Sequence, residues 1–236
     1  MFLELAEVLD CPKCRSSFGL VAFVTEATDH RVIDGWLGCP LCEVEYPIAG
    51  GLIDFSAISG PSVATEAESS DDVALRYDGF LDPTVSSQWT HSPSDMAIRL
   101  AALLGVMDRN GMVVLLGPGL STSAAHLARL AERIEVLCWF DSGDLARSLL
   151  TLDELATGVD PMLGAVAGAW PVRTGSLNGI ALLGPVAPHL VEVERCARYG
   201  ARLVVINPTE DDVATLEVGG FTEIASDNAA WVGVRD

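Results

Sequence analysis

Lysine is almost missing from this sequence. Lys13 is the only one, and 14 basic residues in all face 33 carboxylates, for a formal charge of −19. The arginines run from Arg15 to Arg235 and nowhere form a cluster. A surface of that sign repels phosphate backbones and gains little from counterion release, so nucleic acid is disfavoured as a partner. Long apolar runs are missing too. Stretches such as Met112 to Leu116 and Leu203 to Ile206 fall far short of the ~18 residues a membrane helix needs, and no span is expected. The start, Met1-Phe2-Leu3-Glu4-Leu5-Ala6-Glu7, lacks the basic beginning and apolar core of a signal peptide, which places the chain in the cytoplasm with reduced thiols. Histidine is scarce as well. His30 and His91 fall in polar turns, His126 lies one turn into a predicted helix, and His189 follows Pro188 in the first turn of another. His189 alone lies at the carboxyl edge of a predicted strand, where a base near neutral pH would be useful. No catalytic residue is assigned.

What the sequence does hold is a large apolar fraction and a particular set of cysteines. Half of the 236 residues are hydrophobic, enough for one medium domain and a small one. Four of the six cysteines form two Cys-x-x-Cys knuckles, Cys11-Pro12-Lys13-Cys14 and Cys39-Pro40-Leu41-Cys42, with 24 residues between them. Two knuckles at this separation predict a zinc ribbon: each turn supplies two thiolates, and a hairpin over Gly19 to Val24 and Val32 to Leu37 brings them around one tetrahedral ion. Cys138, inside an apolar run, and Cys196, inside a predicted helix, read as buried structural thiols. The continuation Glu45-Tyr46-Pro47-Ile48 through Gly50-Gly51-Leu52-Ile53 resembles the ending of zinc ribbons in activator subunits of tRNA and rRNA methyltransferases. A similar ribbon precedes the catalytic domain of a bacterial rRNA guanine methyltransferase. The likeness covers roughly the first quarter of the chain.

After a Ser-, Ala- and Glu-rich linker, helix Asp95 to Met107 leads to Gly111-Met112-Val113-Val114-Leu115-Leu116-Gly117-Pro118-Gly119-Leu120-Ser121, a strand that stops at a glycine turn and opens into a helix over Thr122 to Arg133. Strands follow at Ile134 to Phe140, Leu163 to Ala169, Asn178 to Leu183 and Arg202 to Ile206. Helices are expected at Gly143 to Leu150, His189 to Arg198 and Asp211 to Val218, with a closing hairpin over Phe221 to Val234. The glycine turn resembles the cofactor loop of class I S-adenosylmethionine-dependent methyltransferases, an acid followed by Gly-x-Gly-x-Gly. Those positions hold Leu115, Gly117, Gly119 and Ser121. Ala169-Trp170-Pro171 and Tyr199-Gly200-Ala201-Arg202-Leu203 are similar to the segments that precede the fourth and fifth strands of these enzymes.

The fold expected is therefore α/β: a Rossmann-like seven-stranded methyltransferase fold behind a β-rich zinc ribbon. The ribbon spans 1–56, a connecting segment 57–92 and the α/β domain 93–236. The resemblance implies S-adenosylmethionine as cofactor, with Gly117, Gly119 and Asp141 at its site, Asp141 lying about 20 residues past the loop where such folds hold a ribose hydroxyl. The departures point the other way: Leu115 replaces the loop's acid, Ser121 its third glycine, Ala165 to Ala169 offers no acid near the adenine, and Asn178 stands for a usual aspartate. The expectation is a catalytically degenerate, methyltransferase-like protein with structural zinc on Cys11, Cys14, Cys39 and Cys42. It works through a protein partner or a homo-oligomer. The alternative is an active S-adenosylmethionine-dependent methyltransferase on a small molecule or protein. For the ribbon itself, the alternative to partner contact is simple packing on its own α/β domain. As two separate domains, the parts are expected to respond separately: Cys39→Ser would unfold the ribbon and spare the rest.

Overall fold

Strands of two kinds build this molecule. In the computed structural model, which describes residues 1–16, 18–56, 92–107, 109–140, 158–164 and 169–236, the N-terminal strands pair antiparallel, whereas five of the later ones run parallel. Asp141, the helix expected at Gly143 to Leu150 and most of the linker lie outside the described residues. After a 3₁₀ turn at Leu3–Glu7 come β1 (Val21–Thr28), β2 (Arg31–Gly38), β3 (Glu45–Ala49) and β4 (Leu52–Asp54), an antiparallel meander. Asp29 and His30 both take positive φ between β1 and β2, as do Gly50 and Gly51 between β3 and β4. Two-residue turns with that backbone match the twist of the strands they join. In β3, Tyr46 and Ile48 point inward while Glu45, Pro47 and Ala49 face solvent.

The α/β part begins with α1 (Pro93–Leu104). Ser92 caps it by accepting the N–H of Asp95 at 3.2 Å, Pro93 sets its first turn, and Gly105 ends it in a left-handed conformation. Both ends fall two or three residues before those expected, because Ser92-Pro93 starts the helix ahead of Asp95 and Gly105 stops it before Met107. Next come β5 (Gly111–Leu116), α2 (Pro118–Ser121), α3 (Ala124–Leu130), β6 (Ile134–Phe140), β7 (Val159–Leu163) and β8 (Leu177–Leu183). The chain closes with α4 (Leu190–Cys196), β9 (Ala197–Ile206), α5 (Glu210–Val218), β10 (Phe221–Ser226) and β11 (Ala230–Arg235).

Strands β5 to β9 run parallel, and nearly every residue of β5 to β8 is buried, as befits strands covered on both faces. The order β7-β6-β5-β8-β9-β11-β10, with β11 antiparallel to both neighbours, is the Rossmann-like seven-stranded methyltransferase arrangement. The N-terminal strands and the four-cysteine cluster beside them fit a zinc ribbon.

One strand begins earlier than expected. The strand here is Val159–Leu163, which contains Asp160 and Pro161, in sequence read as a loop, and residues 165–168 of the expected Leu163 to Ala169 lie outside the described ones. Asp160 is fully buried because Arg31 Nη2 (2.8 Å) and the Phe2 N–H (3.0 Å) both donate to it. These partners come from the ribbon.

Ribbon and α/β sheet are one sheet of eleven strands, joined where β4 pairs parallel with β7 (Ile53 with Met162, Asp54 with Leu163). They also share a core. Leu5, Leu9, Leu37, Tyr46, Ile53 and Phe55 pack in one cluster with Met112, Leu116, Trp139, Met162 and Trp170. Helices α1 and α3 cover the other face, over Val113, Leu115, Val136 and Val204. The packing alternative for the ribbon is thus present within the chain. Among the described residues, no helix is long and apolar enough to cross a membrane.

Candidate metal centre and cofactor loop

The two knuckles are the same turn built twice. Arg15 N–H donates to Cys11 O at 2.8 Å, and Glu43 N–H to Cys39 O at 3.0 Å. The residue after each second cysteine, Arg15 (φ 55°) or Glu43 (φ 56°), takes the left-handed conformation. This double turn brings four sulfurs from positions far apart in sequence together. Cys11 and Cys42 Sγ lie 3.6 Å apart, Cys14 and Cys39 Sγ 3.5 Å apart, and all four fall within 4.8 Å of one another. Tetrahedral zinc with Zn–S bonds of about 2.3 Å requires S···S edges of about 3.8 Å. The donor set therefore fits a metal ion of that kind. Burial opposes ionisation of the Cys39 thiol, but the N–H groups of Cys42 and Leu41 outweigh it and bring the thiol down to about 7. Tyr46 Oη sits 3.2 Å from Cys11 Sγ, and burial keeps its phenol protonated and able to donate.

The N-terminal part that carries the four cysteines is tied to the α/β domain at three places. Leu9 bridges Val172, with Asp10 N–H donating to Pro171 O at 3.1 Å, and Arg173 Nε pairs with Asp10 at 3.3 Å. Arg15, leaving the first knuckle, reaches Glu192 on α4 at 2.9 Å. Burial works against the Glu192 carboxylate, but Arg195 and the N–H of Trp170 hold it below the usual range. The third tie is Arg31 on Asp160. At its far side burial, reinforced by Asp160, pushes the Glu135 carboxyl up to about 8. None of these three ties was legible in sequence, since their partners stand between 129 (Arg31 to Asp160) and 177 (Arg15 to Glu192) residues apart. A charged residue inside an otherwise apolar run, as at Asp160, was the only sign.

The loop after β5 has different contents. Gly117 takes φ 115°, and a Cβ there would stand 2.7 Å from the carbonyl oxygen of Leu183 at the end of β8. Packing alone therefore demands glycine. Gly119 lies inside the four-residue α2, so the loop folds into a helical turn directly after Gly117. Leu115 is 1% exposed among the side chains of α1 and α3. Ser121, the last residue of α2, and Ser123, just ahead of α3, are buried. His189 is buried at the start of α4 with its ring 6.3 Å from Trp170, and His126 is half-buried on α3. Asp141, the remaining expected cofactor ligand, falls outside the described residues.

Asn178 requires a correction. Its place in the sequence suggests a lost cofactor group, yet β8 runs from Leu177 to Leu183, which puts Asn178 at the amino end, opposite the loop. There it accepts from Met112 N–H (3.3 Å) and donates to Asn110 O (3.0 Å), joining the starts of β5 and β8. Its identity says nothing about the cofactor.

This geometry defines a protein with the class I methyltransferase fold and a four-cysteine cluster able to hold a metal. No protein-family model matches the sequence, and no curated protein matches it. Among solved structures, the chain is similar to an S-adenosyl-L-methionine-dependent methyltransferase of Methanococcus maripaludis, described as putative (15% identity, TM-score 0.48, covering 61% of this chain and 84% of that one). A SAM-dependent O-methyltransferase of Thermotoga maritima gives 15% identity and a TM-score of 0.48 over 64% and 70% of the two chains. The tRNA (m1A58) methyltransferase of Aquifex aeolicus gives 18% and 0.43 over 61% and 69%. At such identities the likeness concerns the fold alone.

Proposed function

We propose that this chain is a methyltransferase-fold protein whose cofactor loop has degenerated, which binds S-adenosylmethionine weakly or not at all and acts through contact with another polypeptide. Its four cysteines hold one structural zinc. Four thiolates complete a tetrahedral shell and leave no open position, so the metal serves the fold and not a reaction.

The observation that carries this reading is Leu115. Where the family's loop carries a carboxylate, a leucine sealed at 1% exposure between α1 and α3 offers neither charge nor hydrogen bond. A hydrogen bond to a charged group contributes about 1.5–3 kcal/mol, so each one lost lowers affinity roughly ten- to a hundredfold. The glycine turn does not offset this, because contact with Leu183 requires Gly117 whether or not a ligand is bound.

Titration calorimetry with S-adenosylmethionine decides the question. The expected outcome is no measurable heat, or a dissociation constant in the millimolar range. Low-micromolar binding that Asp141→Ala abolishes would instead support an active methyltransferase on a small molecule or protein, with Gly117, Gly119 and Asp141 as its cofactor site.

A further inference from the structure

The two outer edges of the eleven-stranded sheet differ. At one edge, β10 carries a bulge after Glu223, and that carboxylate is engaged by Trp231 Nε1 at 2.8 Å. At the other, among the described residues, β1 pairs only with β2; Val21 to Val24 run in unbroken register against Gly38 to Gly35, and the strand's own register shifts come only after Val24 and Glu26. Its first five residues, Val21-Ala22-Phe23-Val24-Thr25, contain no charge and no proline, the devices that normally protect an edge. Val21, Phe23 and Val24 are each nearly half exposed, on alternate faces of the strand. Phe23 stacks on Trp36 with centroids 5.5 Å apart, forming a platform on one face. On the other, a cavity of about 280 Å³ opens between the 3₁₀ turn and β1, lined by Leu3, Val24, Ala27 and Val32, with Asp29, His30 and Arg31 where β1 turns into β2.

We propose that the β1 edge takes an extended, basic segment of a partner polypeptide as a twelfth strand. Main-chain hydrogen bonds to an open edge supply affinity, and pockets for alternate side chains supply specificity. Here the cavity receives an apolar side chain and the Phe23–Trp36 platform lies under the other row. Charge selects the occupant. Residues 1–55 hold nine carboxylates, including Glu26 on β1, Asp29 in its turn and Asp34 across from it, against Lys13, Arg15 and Arg31. Arg15 and Arg31 are turned onto Glu192 and Asp160, so the edge is left in an acidic field. A second copy, with a charge of −19 of its own, is the wrong occupant. Arginine or lysine alternating with apolar residues is the right one.

The proposal rests on the reading that this protein acts by polypeptide contact, and its test separates the two. Calorimetry with the zinc-loaded chain would use a synthetic peptide of about ten alternating valines and arginines, long enough for one strand. The comparison probes are the same peptide N-methylated at alternate residues, a valine–glutamate peptide, and Val24→Lys protein with unchanged zinc content and melting. Binding of the valine–arginine peptide that weakens by about tenfold or more on N-methylation and in Val24→Lys supports the β1 edge. Binding that ignores either change, or a concentration-dependent dimer lost in Val24→Lys, overturns it while leaving polypeptide contact standing. Failure of every peptide to bind a monomeric protein removes both.

Discussion

The four-cysteine cluster and the loop after β5 occupy opposite positions on a scale of completeness. At the cluster every donor is present, the sulfurs already stand at near-tetrahedral spacing, and Tyr46 and backbone N–H groups surround them. At the loop the glycine turn is present, but Leu115 ahead of it is apolar and 1% exposed. The turn persists for a reason unconnected with ligands: Leu183 leaves no space for a side chain at Gly117. A glycine's geometry is thus a poor witness to a cofactor, because packing can demand it alone. Converging donors are a better witness, since little else draws four thiols to within 4.8 Å.

The largest test of this contrast is removal of the metal end. Sequence alone suggested that Cys39→Ser would unfold only the ribbon, but β4 is hydrogen-bonded to β7 and the two parts share a core. Metal binding to a four-cysteine site is worth on the order of 10 kcal/mol, comparable to the whole stability of a domain. Cys39→Ser, or chelation, is therefore expected to abolish cooperative melting of the entire chain by circular dichroism. A retained α/β transition would break the comparison and restore two independent domains.

Next in size is Arg31→Ala. Removing this cation leaves Asp160 with the Met1 ammonium at 3.5 Å, and breaking a buried ion pair costs up to about 3–5 kcal/mol. Denaturant unfolding should register it. A change under about 1 kcal/mol would mean that the junction is as weakly coupled as a surface pair.

The same junction should make stability depend on pH. Burial raises the Glu135 carboxyl to about 8 in the folded chain, against its ordinary value of 4.5 when unfolded, so between these values the folded state holds the extra proton. Stability contributed by that proton is present at low pH and falls as pH rises through this window. Glu135→Gln is expected to flatten the slope between about pH 5 and 8, measured as denaturation midpoint against pH. An unchanged slope would remove Glu135 as its source.

The smallest expected effect concerns the knuckle turns. Glu43 sits in a left-handed conformation that costs a side-chain-bearing residue about 1 kcal/mol. Glu43→Gly should stabilise the chain by about that amount with zinc content unchanged. Arg15→Gly should not, because it also removes the ion pair with Glu192.

Local features were the legible ones. Cysteine spacing announced the knuckles, and the apolar run before Gly117 announced the central strand. The terminal hairpin was readable because Phe221 to Arg235 holds two strand-like runs around Ser226-Asp227-Asn228. Features that depend on distant partners were hidden. Val159–Leu163 looked like a loop until Arg31 was found neutralising Asp160, and Asn178 looked like a cofactor residue until strand direction placed it at the wrong end. The joining of β4 to β7 leaves no periodic trace, since three residues on one side meet a strand more than a hundred residues later.

Native mass spectrometry of the reduced protein, sprayed with S-adenosylhomocysteine at about 0.1 mM, far above a micromolar dissociation constant, addresses both sites in one spectrum. The account predicts a chain carrying one zinc and no nucleoside adduct. A chain with S-adenosylhomocysteine bound, or one without zinc, would contradict it.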